Sequence, residues 1–168
     1  MFVRLLIIWV IFLITACNES EVINEVEALP NQLSMFTQVQ GQTSPGLKGV
    51  DSNENGIRDD IDQLIEQKFS YSPKIKRAAE QEARALQQFM EAKTKEAALE
   101  AAEQIARATS CTFKVLPDPI RDYEKRKVLS NEIEIWITNT KERLFNYLES
   151  SKLVGGAYFM QPTEPVCD

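Results

Sequence analysis

Hydrophobic and polar positions divide this chain into a short apolar run, a long polar stretch and a body with helical periodicity. After the single basic residue Arg4, apolar residues run for about 12 positions up to Ala16. A membrane-spanning helix needs roughly 20, so the run reads as the h-region of a signal peptide over residues 1–16. Residues 18–48 are polar, interrupted by Pro30, Gly41, Pro45 and Gly46, and sustain neither a helical nor a strand period. That pattern predicts a flexible tether. Leu29, Leu33, Met35 and Phe36 are its apolar exception and could make a short amphipathic turn that docks on the folded part.

From residue 49 the pattern predicts an all-α domain, a bundle of three to four helices. Asp59-Asp60-Ile61-Asp62-Gln63-Leu64-Ile65 starts a first helix. Ser72 before Pro73 is a cap followed by a first-turn proline. Ile75, Ala79, Ala83, Leu86 and Met90 then share one face, as do Ala97, Ala101, Ile105 and Ala108. Lys93-Thr94-Lys95 interrupts the stripe, which leaves one long helix or two with a break near Thr94. Glu80 with Arg84, Glu91 with Lys95, and Glu103 with Arg107 stand four apart in the favourable order. The alanine density near residues 97–108 predicts close packing against a neighbouring helix.

Asp118-Pro119 repeats the cap-and-proline start. The run to Glu149 carries Ile120, Tyr123, Leu129, Ile133, Trp136, Ile137, Leu144, Tyr147 and Leu148 at helical spacing. Ile133, Ile135 and Ile137 also alternate with period two, a strand preference, but helical pattern on both sides decides for helix. Arg121, Lys125, Arg126 and Lys127 read as a solvated helix face. Gly155-Gly156 ends the helical part, and the apolar Ala157-Tyr158-Phe159-Met160-Gln161-Pro162 is expected to lie back on the bundle.

Composition narrows the chemistry. The chain holds 168 residues with 19 Lys+Arg against 25 Asp+Glu, a net charge of −6. That balance argues against general affinity for nucleic acid or an anionic membrane surface. Histidine is absent, which removes the commonest general base and every His-containing triad.

Of three cysteines, Cys17 directly follows the apolar run. Leu13-Ile14-Thr15-Ala16-Cys17 resembles the lipobox of bacterial lipoproteins. The resemblance implies that Cys17 is acylated, becomes the first residue of the mature chain and holds it to a membrane; two or more acyl chains give stable anchoring. Asn18, where an inner-membrane lipoprotein of a two-membrane host usually has aspartate, implies the outer membrane. Cys111 and Cys167 are then an even pair, as one disulfide in an exported protein requires.

Residues 51–62 carry the clearest chemical grammar. Asp51, Asn53 and Asn55 put side-chain oxygens at positions one, three and five, Gly56 stands at six, and Asp59 and Asp62 at nine and twelve. Calcium takes six to eight hard oxygen ligands, and a 12-residue loop presents them from alternate positions. The stretch resembles the calcium loops of EF-hands, dockerins and thrombospondin type 3 repeats. By that resemblance Asp51, Asn53, Asn55, Asp59 and Asp62 would offer side chains and Ile57 its carbonyl, with calcium as cofactor. Asp62 is shorter than the usual Glu, Arg58 stands where an apolar residue is usual, and Thr43-Ser44-Pro45-Gly46 is turn-like rather than helical. Half an EF-hand with three carboxylates and two amides predicts a weak structural site, about 10⁻⁴ to 10⁻³ M. The plainer alternative is an Asx-rich turn whose acids cap the following helix.

No nucleophile–base pair, phosphate loop or zinc spacing is present. The expected function is therefore binding, not catalysis: an anchored lipoprotein whose calcium-stabilised helical domain engages another envelope or secreted protein, as an assembly accessory or an inhibitor. The competing class is an envelope glycan or peptidoglycan hydrolase with a Glu/Asp pair.

Overall fold

The computed structural model describes residues 46–168. The signal-peptide run, Cys17, the Leu29/Leu33/Met35/Phe36 turn and the tether as far as 45 lie outside them. The described residues are 64% helical, with five helices and no strand: α1 (Asp59–Phe69), α2 (Pro73–Glu91), α3 (Lys95–Val115), α4 (Tyr123–Ile137) and α5 (Lys141–Leu153). The all-α expectation holds, with five helices where three to four were expected.

Helix α2 is the hub and touches each of the other four. The stripe at Ile75, Ala79, Ala83, Leu86 and Met90 is buried, but so are Ala78, Ala85 and Phe89, and the polar Gln81, Glu82 and Gln87. Three polar side chains inside the bundle are what a helix surrounded on most sides requires. The main core joins that stripe to Ile57, Ile61, Ile65 and Phe69 at α1 and to Leu129, Ile133, Trp136 and Ile137 of α4. Each fully buried aliphatic of this kind contributes roughly 1.5–3 kcal/mol. Ile135 is exposed while Ile133 and Ile137 are buried, so the alternating isoleucines are helical.

The alanine-rich helix α3 does pack closely, but its register begins one residue later than expected: Ala98 and Ala101 are buried beside Phe89, whereas Ala97 is exposed. The break near Thr94 is real. The Thr94 hydroxyl accepts from the Ala97 N–H at 3.2 Å and caps α3. A second break was not foreseen. Thr140 accepts from the Arg143 N–H at 3.2 Å and caps α5, splitting the run from 119 to 149. Both breaks carry the tripeptide Thr-Lys-Glu, at 94–96 and 140–142: a β-branched hydroxyl at the cap and an acid at the positive helix end.

Other expectations are corrected. Ser72 stands at the start of α2 without a side-chain cap bond. Helix α4 begins at Tyr123, four residues after Pro119, because Asp118 draws the Ile120 and Arg121 amides into a turn of its own. Ile120, Tyr123, Leu144 and Leu148 are exposed rather than core. None of the i,i+4 pairs forms its bridge as expected: Arg84 pairs with Asp168 at 3.0 Å, Arg107 donates to the Pro165 carbonyl, and the break at Thr94 separates Glu91 from Lys95.

Arg126 leaves the solvated face altogether. It is buried, donates to the Leu116, Asp118 and Pro119 carbonyls and covers the Phe113 ring at 4.7 Å. The C-terminal segment also behaves differently. Tyr158 and Met160 stand in solvent and Phe159 is part exposed; residues 164–168 are what returns to the bundle. Val166 is buried with Ala78 and Cys111, and Gln81 clasps the segment by donating to the Val166 carbonyl and accepting from the Asp168 N–H. Cys111 and Cys167 are joined, with Cα atoms 4.9 Å apart.

Candidate metal centre

The loop at 51–62 folds around its own oxygens. Asp51 accepts from the Asn55 N–H at 3.1 Å and the Gly56 N–H at 2.9 Å, one through each oxygen. Gly56 has φ +81°, a left-handed conformation that a Cβ would strain. The amide oxygens of Asn53 and Asn55 accept from the Asn55 and Ile57 N–H groups. Their amide nitrogens both reach Asp62, donating to the same Oδ2 at 3.1 and 2.8 Å.

Four of the six expected positions therefore meet: Asp51, Asn53, Asn55 and Asp62, from both ends of the loop. The other two do not join them. Asp59 turns back to the loop's start, accepting from the Ser52 N–H at 2.8 Å and the Ser52 hydroxyl at 2.6 Å; those bonds hold its carboxyl below the ordinary carboxylate range. Ile57 contributes a side chain buried in the core. Among the described residues, no three His, Cys, Asp or Glu side chains gather as a metal-holding group. The cluster has two carboxylates and two amides, one acid fewer than expected.

The donor set fits a hard cation on one condition. Carboxylate and carboxamide oxygens are calcium's ligands, and the two asparagines already converge on Asp62. They do so nitrogen-first. Turning each carboxamide over would leave only oxygens at the centre, an arrangement that repels itself without a cation.

Arg58, at loop position eight, was the residue that departed from the calcium-loop pattern. It is 1% exposed, and its guanidinium makes a set of bonds inside the body. It pairs with Asp60 at 3.0 Å and donates to the carbonyls of Trp136 at 2.9 Å and Ile137 at 3.2 Å. It also reaches Gln87 at 3.3 Å and Asn139 at 3.5 Å. Loop and body are thus tied by a buried polar side chain, beside the buried Ile57 and Ile61.

The same network reaches back before the loop. Arg143 of α5, wholly buried, shares the Asn139 oxygen at 2.7 Å and donates to the Gly46 and Leu47 carbonyls. Burial lowers its pKa from the usual guanidinium value, and Arg58's charge adds to that. Gln87 donates to the Lys48 carbonyl at 3.3 Å. Residues 46–48, expected as the tether's end, are therefore part of the body.

Helix α5 has a second notable surface. Its buried residues are Arg143 and Ser150, and Tyr147 packs edge-to-face on Phe89. Leu144, Phe145 and Leu148 are about half exposed. Among the described residues, no helix is long and apolar enough to cross a membrane. The chain matches no family model, no curated protein and no solved structure.

Proposed function

We propose that this protein is an exported lipoprotein, anchored through acylated Cys17, whose calcium-stabilised helical domain docks another envelope or secreted protein. The apolar outer face of α5 carries the reading. Leu144, Phe145 and Leu148 leave large apolar side chains in water on a helix whose inner face is already satisfied, as interaction sites do. The lipobox resemblance at 13–17 supplies the anchor, with Asn18 favouring the outer membrane of a two-membrane host. The Cys111–Cys167 bridge suits an oxidising compartment. The calcium part rests on the meeting of Asp51, Asn53, Asn55 and Asp62.

The test is a photo-crosslinking residue at Phe145 in the membrane-anchored chain, against a control at Glu103. One protein crosslinked from 145 and not from 103, and lost in Leu144→Glu/Leu148→Glu, supports docking. Equal crosslinking from both positions overturns it. Labelled palmitate entering the chain equally well in Cys17→Ser overturns the anchor.

One observation favours the hydrolase as a second reading. A polar cleft of about 210 Å³ lies along α2 and α3, lined by Gln81, Arg84, Glu100, Gln104 and Asp168, and so holds two carboxylates. Asp168 is paired with Arg84 there. Cleavage of a glycan by the chain that Glu100→Gln abolishes would establish that reading.

A further inference from the structure

We propose that Arg58 couples cation occupancy of the 51–62 loop to the seating of α5, so that calcium sets the apolar face α5 offers. This rests on the calcium reading above and adds its regulation. Arg58 leaves the loop's own oxygens and enters the bundle between Ile57 and Asp59. Its bonds end on three places that position α5: the last carbonyls of α4, at Trp136 and Ile137; Asn139 in the link between α4 and α5; and Gln87 on α2. Asn139 passes the connection to Arg143, the central buried residue of α5. Arg143 and Gln87 pass it on to the 46–48 carbonyls, two residues before Val50, whose carbonyl accepts from the Asp59 N–H at 2.8 Å. The connection is a closed ring: loop, α4 end, link, α5, entry strand, loop.

Such a ring transmits displacement because none of its members can stay behind. A guanidinium taken from water must keep its acceptors, and a partly satisfied buried network costs more than an apolar one. Asp60 is the carboxylate paired with Arg58 in this set, and it too is buried. When a cation draws Asp51, Asn53, Asn55 and Asp62 inward, the backbone at 57–59 follows. Arg58 then carries the shift to Asn139 and the first turn of α5. Leu144, Phe145 and Leu148 lie one to five residues beyond Arg143.

Hydrogen exchange of the full chain with and without calcium tests this, with terbium luminescence as an independent measure of binding at the loop. In the wild type, calcium at roughly 5 mM should slow exchange at 51–62 and at 138–144 about tenfold, given a site of 10⁻⁴ to 10⁻³ M. Arg58→Lys keeps the charge but loses the planar fork. It should still bind terbium and protect the loop while the calcium effect at 138–144 disappears. Asn139→Ala, a smaller change that keeps Arg58 on its carbonyls, should cut the effect at 138–144 at least several-fold. Protection confined to 51–62 in the wild type overturns the coupling and leaves the metal reading standing. Unchanged protection at 138–144 in both variants overturns Arg58 and Asn139 as the route. Failure of terbium and calcium to act on the loop at all removes the calcium reading, and the coupling with it.

Discussion

The Arg58 guanidinium donates to the main-chain carbonyl of Trp136 at 2.9 Å, joining the residue that leads into α1 to the last turn of α4. Carbonyls at a helix C-terminus lack intrahelical partners, so a buried Arg placed there answers a need that water would otherwise meet. Removing it leaves those carbonyls, and the Asp60 carboxylate, without their donor.

Arg58→Met should therefore destabilise the fold by roughly 3–5 kcal/mol, the usual cost of leaving a buried charge unpaired. Arg58→Met with Asp60→Leu should recover a large part of that loss, since no lone charge remains. Urea midpoints of the two variants measure this. A double variant no more stable than the single one would show that the carbonyl bonds, not the ion pair, are what Arg58 supplies.

Calcium should raise the melting temperature of the full chain. At about 5 mM, a site of 10⁻⁴ to 10⁻³ M adds about 1 to 2 kcal/mol. Asp51→Ala should abolish the rise, because Asp51 both holds the Asn55 and Gly56 amides and offers the loop's first carboxylate. Identical melts in calcium and in EDTA would sink the metal reading and leave residues 51–62 as an Asx-rich turn.

How far this was legible in the sequence depends on whether a signal is local. Apolar spacing identified the buried face of α2, and the loop's glycine and asparagines marked where Asp51 and Asp62 would meet. Both signals lie within a few turns of chain. Arg58 and Arg126 were read as a pattern error and a solvated charge, because nothing nearby says that a guanidinium will cap a helix 78 residues away or sit over Phe113. The division at Thr140 was legible and missed: the Thr-Lys-Glu that caps α3 recurs there. Tyr158 and Met160 misled in the opposite direction. Hydrophobicity alone implied burial, whereas the segment that returns is fixed by Cys167, Gln81 and Val166.

Reduction should loosen the C-terminus first. The Cys111–Cys167 bridge closes a sequence separation of 56 residues, worth about 4 kcal/mol on the chain-entropy model. The Gln81 clasp and the Lys114–Glu164 pair hold the same segment. Cys111→Ser/Cys167→Ser should unfold at lower urea than wild type, with 164–168 exchanging faster than α4. Mass spectrometry finding two free thiols in the exported chain would remove the bridge.

Glu82 gives the pH dependence. It is 4% exposed on α2, with the Thr112 hydroxyl donating at 3.4 Å. Burial pushes its carboxyl above the ordinary value of 4.5, the charge of Glu134 adds to this, and hydrogen bonds from Ser130 and Thr112 oppose it. The folded chain therefore binds this proton more tightly than the unfolded chain does. Its contribution to stability is fully present below the ordinary carboxyl pKa and is lost as pH rises from there through the raised value. Glu82→Gln keeps the shape and removes the charge, so it should match the wild type near pH 4 and exceed it near pH 7.5. Urea midpoints at both values decide the matter: a variant weaker than wild type at pH 7.5 would mean that the ionised Glu82 is stabilised in place by its hydroxyl donors.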